Sequence, residues 1–415
     1  MILRLAFASL LARAVTVAMT ILAIALSVGL FLGVEKVRTG ARASFADTIS
    51  GTDLIVGARS GSVQLLLYSV FRIGNATNNI TWDSYQDIAA RPEVDWIVPI
   101  SLGDSHRQFR VMGTTPAFFD RYRYRGDRTL AFAGGNGLDD LYDAVIGADV
   151  ADALGYAVGD PIVVSHGLAS FTDHGDQPFR VAGIVEKTGT PVDRTVIVGL
   201  EAITAIHVDW QGGAQTGQTT PTERIRQMDL TPDAVTAALI GTQSRLQIFG
   251  LQRWINEYPE EPLLAVLPGV ALQELWAIVG IAETALIAVS AMVVLTALIG
   301  MTGMIFSSLN ERRREMAIWR AMGARPATIL GLLVIEAVLM AAIGAVLGFV
   351  LVYAALAVGR PVIDAAFGLW LPMDAPTARD AAVLAAVIAA AALASLIPAL
   401  RAYKLSLADG MMVRI

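Results

Sequence analysis

Ser308-Leu-Asn-Glu311-Arg312-Arg313-Arg314-Glu315-Met-Ala-Ile-Trp319-Arg320-Ala-Met-Gly323-Ala-Arg325-Pro326 is a charged segment set between two apolar ones. Seven charged residues crowd into 311–325, while no charge occurs from Thr284 to Asn310 or from Ala337 to Gly359. A charged stretch between two membrane-length runs has to lie in water, and its arginine excess marks that side as cytoplasmic by the positive-inside bias. The pattern is helical. Met316, Trp319, Ala321, Met322 and Gly323 give it a partly apolar, small-residue surface beside the basic one, as a helix docking on a partner has. Gly323 supplies a stop and Arg325-Pro326 a restart. On composition alone, a short basic loop that only fixes topology accounts for the arginines as well.

The rest of the chain fits a membrane protein with one sizeable aqueous domain. Of its 415 residues 55% are hydrophobic and 16% charged, and mean hydropathy is +0.57. A net charge of −6 argues against nucleic acid as a partner. There is no cysteine, so neither disulfides nor thiolate metal sites are available.

Charge gaps place four spans, within Ala14–Val34, Thr284–Leu309, Ala327–Val358 and Ala381–Leu400, each about the twenty apolar residues a bilayer requires. Arg4 and Arg13 precede the first run as in a signal peptide, but the run continues past Ala25-Leu-Ser27 to Val34, which favours a retained anchor. Arg4, Arg13, the 312–325 cluster, Arg401, Lys404 and Arg414 then share one side, so both termini are expected in the cytoplasm. Lys36, Arg38 and Arg42 conflict with this, although they head a long translocated domain, where the bias weighs less. The fold class expected is four transmembrane helices with a large α+β extracytoplasmic domain between the first and second.

The boundaries read as an interfacial helix at 1–13, a span at 14–34, the outer domain at 35–270 and a stalk with its span at 271–310. A cytoplasmic helix at 311–326, a span at 327–359, an outer loop at 360–380, a span at 381–400 and a tail at 401–415 follow. In the outer domain, Leu54–Gly57, Val94–Ile100, His106–Met112, Phe179–Val185 and Thr195–Gly199 read as strands. Trp82–Pro92, the stretch ended by Gly155, and Leu246–Glu257 read as helices. Thr231 with Pro232 reads as the capped start of another helix running to Ile240 and stopped at Gly241. Gln211–Thr222, rich in Gly, Gln and Thr, reads as a surface loop. Val63–Ile73 is apolar and too short to span. It is either a core helix or a hydrophobic gate just outside the membrane, with Leu65, Leu66, Leu67 and Phe71 as candidate gate residues. Glu336, within the third span, is a functional candidate by position, with a snorkelling role towards the interface as the alternative.

Glu311-Arg-Arg-Arg-Glu-Met-Ala-Ile-Trp-Arg-Ala-Met-Gly-Ala324 resembles the cytoplasmic signature of the MacB/FtsX/LolC-type permeases of ABC transporters. Val111–Phe119, Ala144–Gly155 with Val158–Val164, and the Pro398-x-x-Arg401-Ala402 pattern resemble further segments of that family. The resemblance implies that Glu311, Arg312, Arg313, Arg314, Glu315, Trp319, Arg320 and Gly323 belong to a coupling helix resting on a separate ABC ATPase subunit. It also implies a second permease copy or homologue, a bacterial inner-membrane location, and no cofactor beyond the ATP bound by the partner. Three outcomes follow from it: export with a periplasmic adaptor, extraction of a lipoprotein from membrane lipids, or FtsX-like control of an extracytoplasmic partner without solute transport.

The residues offer little enzymatic chemistry. No Gly-x4-Gly-Lys-Ser/Thr, Gly-x-Ser-x-Gly or His-Glu-x-x-His occurs. All four histidines, His106, His166, His174 and His207, fall in the outer domain, and His174 has Asp173 and Asp176 beside it, donors that suit a divalent metal. Their spacing matches no tight motif. The expectation is therefore solvated surface histidines and no metal site.

Overall fold

The computed structural model describes residues 2–167, 174–175, 177–211, 214–217, 220–311, 313–367, 373 and 375–404. In chain order, the elements begin with α1 (Ile2–Leu11), α2 (Ala14–Asp47), β1 (Leu54–Ala58), α3 (Ser62–Ser69), β2 (Ile80–Thr81) and α4 (Trp82–Ala89). Next come β3 (Val94–His106), β4 (Phe109–Thr114), α5 (Ala117–Arg121), β5 (Phe132–Gly135), β6 (Asp143–Ile146), α6 (Ala148–Leu154) and β7 (Pro161–Ile162). They continue with β8 (Phe179–Val185), β9 (Thr195–Gly199), α7 (Leu200–Ile206), β10 (Trp210–Gln211), β11 (Ala214–Gln215) and α8 (Thr222–Ile225). β12 (Ala234–Val235), β13 (Ala237–Thr242), α9 (Ile248–Asn256) and β14 (Leu263–Val266) complete the mixed region. Four helices close the chain: α10 (Pro268–Glu311), α11 (Arg313–Ala321), α12 (Pro326–Phe367) and α13 (Ala378–Lys404). Two units result, 1–40 with 280–361 and 372–415, and 41–279 with 362–371.

The first unit is helical. Four helices among the described residues are long and apolar enough to cross a membrane, within α2, α10, α12 and α13. Ile24, Val28 and Leu32 of α2 pack with Met301 and Ile305 of α10, Leu333, Ala337 and Ala341 of α12, and Ala391 of α13. Met19, Met292, Ile299 and Leu393 are exposed, as lipid-facing side chains are. Helices α2 and α12 approach closely. Each carries a Gly-x3-Gly step, Gly29–Gly33 and Gly344–Gly348, and a Cβ at Gly348 would lie 2.4 Å from the Ala25 carbonyl oxygen. Small residues at such a seam let two backbones touch where no hydrophobic force between helices is available.

Two ionic features bear on the charge reading. Lys36 donates to Asp380 at 2.8 Å, while Arg38 and Arg379 both reach Glu35 Oε1, at 2.9 and 2.8 Å. Lys36 and Arg38, two of the basic residues after the first span, are thus each paired with a neighbouring carboxylate. Glu336, 3% exposed, is turned inward 3.7 Å from Arg13 instead of snorkelling outward.

The second unit is a mixed α+β domain around a ten-stranded sheet of order β14-β1-β13-β3-β4-β9-β6-β8-β5, with β7 also on β8. Most neighbours are antiparallel, while β4 with β9 and β6 with β8 are parallel. Strands β1, β6, β9 and β13 are buried on both faces, and successive side chains serve different cores. Ile55 and Ile197 join the cluster containing α3, while Leu54 and Val56, and Val196 and Val198, join clusters on the other face.

Two expectations are corrected here. Residues 231–240 are not a helix but lead into β12 and β13, because Val235, Thr236, Ile240 and Thr242 are β-branched and β13 fits between β1 and β3. Gly241 is not a helix stop. It lies at a register shift against Trp96, where a Cβ would meet the indole nitrogen at 2.0 Å. In Val63–Ile73 the residues up to Ser69 belong to α3, the core-helix alternative, while Ile73 beyond it is exposed. Leu65 and Leu66 are fully buried, each contributing about 1.5–3 kcal/mol, Phe71 is 8% exposed, and the partly buried Leu67 packs against the same cluster. Finally, α12 runs to Phe367 with Pro361 inside it, so the 360–380 segment opens as helix; Trp370 and Pro372 lie outside the described residues. The Gln211–Thr222 stretch contains the short β10–β11 hairpin, part of it outside the described residues.

Candidate functional sites

The charged segment of the first unit forms α11 between α10 and α12. Arg312 and the side chains of Glu311, Arg313, Arg314 and Glu315 lie outside the described residues. The rest divides by face. Met316 and Ala317 are buried, Trp319 and Arg320 are half-buried, and Ile318 and Met322 stand 53% and 73% exposed. Residues four apart share a helix face, so Ile318 and Met322 form a small outward apolar step that the sequence reading only half caught. The helix ends in a Schellman turn. Ala324 N donates to Trp319 O and Gly323 N to Arg320 O, both at 3.0 Å, with Gly323 at φ +97°. Only glycine takes that backbone conformation without strain. Pro326 then opens α12 at a position that needs no amide hydrogen.

The second unit holds a different cluster. An antiparallel bridge joins Ser105 at the end of β3 to Ser165, with Ser165 N donating to Ser105 O at 2.8 Å. That bridge sets His166 beside Asp104, 3.4 Å from Nδ1 to Oδ1. His174 is anchored by its amide on Val164 O at 2.8 Å, and His207 caps the C-terminus of α7. His166 Nδ1 lies 3.0 Å from His207 Nε2, and His207 Nε2 lies 3.8 Å from Asp104. One ligand atom from each of Asp104, His166, His174 and His207 falls within 4.8 Å of the others. The Trp210 ring covers the group, its centroid 4.6 Å from that of His174 and 5.0 Å from that of His166.

Burial pushes the Asp104 pKa up, while His207, His166 and the Gly167 amide pull it back towards the charged form. The expectation of solvated histidines is corrected: His174 is 2% exposed and His106 4%, and His166 and His207 are half-buried. His106 stands apart, with Nδ1 on Val163 O at 2.7 Å and Nε2 on the Tyr156 hydroxyl at 3.0 Å. Asp173 and Asp176, the carboxylates nearest in sequence, lie outside the described residues. The carboxylate that joins the histidines is Asp104, which no local spacing could reveal.

Comparison with known proteins covers both units. Residues 17–246 match the family model of the MacB-like periplasmic core domain, and residues 287–407 match the FtsX-like permease C-terminal domain. The chain belongs to the MacB/FtsX family of ABC-type permeases. The MacB-like model takes in α2 and nearly all of the sheet, and the FtsX-like model takes in α11 with the helices on either side. A macrolide export ATP-binding/permease protein MacB of Nitrobacter winogradskyi is 25% identical over 388 residues, 87% of this chain and 54% of that protein. The chain thus spans about half the length of this curated relative.

Among solved structures, the periplasmic region of MacB from Actinobacillus actinomycetemcomitans is similar at 11% identity and TM-score 0.35 over 55% of this chain and 94% of that one. The extracellular domain of the ABC-type transporter YknZ from Gram-positive bacteria gives 13% and 0.30 over 52% and 99%. This MacB/FtsX permease is a multi-pass membrane protein with a periplasmic-type domain between its first and second spans.

Proposed function

We propose that this MacB/FtsX permease couples ATP hydrolysis by a partner ATPase to motion of its outer domain, in the inner membrane of a bacterium with both termini in the cytoplasm. The observation that carries the reading is the run from α10 into α11. One unbroken 44-residue helix begins right after the last strand of the sheet and ends at Glu311, where the amphipathic α11 follows. A continuous helix transmits displacement along its axis, and α11 offers the surface on which a partner would push. Ile318 and Met322, flanked by the arginines of 312–325, suit a mixed apolar and acidic groove on that partner.

A second permease copy fits the exposure of α10. Only 6% of its most apolar window is buried within the chain, against 50% for α12. The sequence carries no phosphate-binding Gly-x4-Gly-Lys-Ser/Thr, so in this account the nucleotide is held by the partner. Burial of Leu65, Leu66 and Phe71 weighs against the lipoprotein-extraction outcome, which calls for an apolar pocket. Replacing Arg313, Glu315 and Gly323 together tests the reading. Loss of substrate-side function and of stimulated ATP turnover in the assembled complex is expected, while unchanged turnover and unchanged association would overturn it.

A further inference from the structure

We propose that the outer domain carries a structural transition-metal site of the zinc class, built by Asp104, His166, His174 and His207. A tetrahedral ion with bonds of roughly 2.0–2.1 Å holds its ligand atoms about 3.4 Å apart. The separations among His166, His207 and Asp104, 3.0, 3.4 and 3.8 Å, straddle that value, and a ligand atom of His174 lies within 4.8 Å of each.

The protonation pattern agrees. His207 Nδ1 lies 2.7 Å from the Ile203 carbonyl, an acceptor only, so Nδ1 carries the proton and Nε2 turns its lone pair into the cluster. Fixing a ligand's tautomer through its other ring nitrogen is how metal-binding histidines are usually held. His106 makes the contrast, since a backbone carbonyl and a tyrosine hydroxyl occupy its two nitrogens and it stays outside the group.

Donor chemistry sets the class of ion. Three imidazoles and one carboxylate, without thiolate, suit zinc and its neighbours among the first-row divalent ions, whereas calcium and magnesium prefer all-oxygen shells. Four protein ligands leave no open position, the mark of a structural rather than a hydrolytic site. The ion would tie together three stretches far apart in sequence: the end of β3, the connection from β7 to β8, and the C-terminus of α7. Trp210, tilted over the imidazoles of His166 and His174, would keep water from the bonds.

The competing account is a proton-sharing network in which His166 Nδ1–H donates to His207 Nε2 and no metal is bound. Full-length protein without a polyhistidine tag, stripped by chelator, distinguishes the two when titrated with zinc chloride against a chromogenic chelator. The metal site predicts one equivalent bound with sub-micromolar affinity, a higher unfolding temperature with zinc, and tetrahedral visible absorption bands when cobalt(II) is used instead. His166→Ala and His207→Ala should each weaken binding by more than the ~10–100-fold that loss of an outer hydrogen-bond partner costs. Should those variants fold poorly, displacement of cobalt by zinc from the wild-type protein still decides. Absence of saturable binding by the stripped wild type, or stoichiometric binding that persists in the His166→Ala/His207→Ala double variant, would overturn the site.

Discussion

Gly348 of α12 meets Ala25 of α2 backbone to backbone: a Cβ on Gly348 would lie 2.4 Å from the Ala25 carbonyl oxygen. No side chain intervenes, so the seam between the first and third long helices depends on glycine. Gly348→Leu should force the two helices apart at a cost of about 1–3 kcal/mol, as overpacking does. Gly359→Leu, on the same helix but with nothing within 4 Å, should be tolerated. Thermal aggregation of the two variants in detergent would check this, and equal midpoints would refute the seam.

Asp193 is fully buried and holds the turn before β9. Its carboxylate accepts from Thr188 N at 2.8 Å, Thr188 Oγ1 at 2.7 Å and Gly189 N at 2.6 Å. Asp193→Ala would strand these donors and should destabilise the outer domain by roughly 3 kcal/mol, at about 1–3 kcal/mol for each buried group left unmade. Limited proteolysis of full-length protein should show faster cleavage near 188–193 in the variant than in the wild type.

Asp140 is held down to about 2 by the Arg226 guanidinium, which it accepts from in two bonds of 2.7 and 2.8 Å. A depressed carboxylate contributes stability above its unfolded value of roughly 3.9 and loses it as pH falls towards the folded one. The pair is exposed, so the effect is small. Comparing unfolding temperatures at pH 5 and pH 2.5, Arg226→Gln should lose less on acidification than the wild type; an identical loss would show that the pair adds nothing.

Ile318 on α11 and Met322 just past its end are exposed, so changing both to aspartate should leave the helical unit folded. If they dock on the ATPase, binding should weaken at least tenfold, because desolvated central contacts carry most interface energy. Co-elution of the variant with its ATPase on size exclusion would check it, with wild-type retention counting against the docking face.

Much of this was legible from the sequence. Charge gaps located the four long helices, and Gly323 with Pro326 gave the break between α11 and α12, because uncharged length and backbone chemistry are local properties. Where packing decides, local reading failed. Residues 234–242 contain enough alanine to look helical, yet the slot between β1 and β13's other neighbour β3 makes them strands. The histidine cluster was hidden for a related reason. Asp104 and His207 are brought to His166 by a strand bridge and a helix end, not by sequence spacing. Exposure of Ile318, likewise, depends on which face α11 turns inward.

The coupling claim is met most directly by purifying the permease from native membrane, identifying the bound subunits by mass spectrometry and assaying ATP turnover. The account predicts a stoichiometric ABC ATPase whose turnover falls when Ile318 and Met322 are both changed to aspartate. A permease that purifies with no ATPase, or an ATPase indifferent to those two residues, would contradict it.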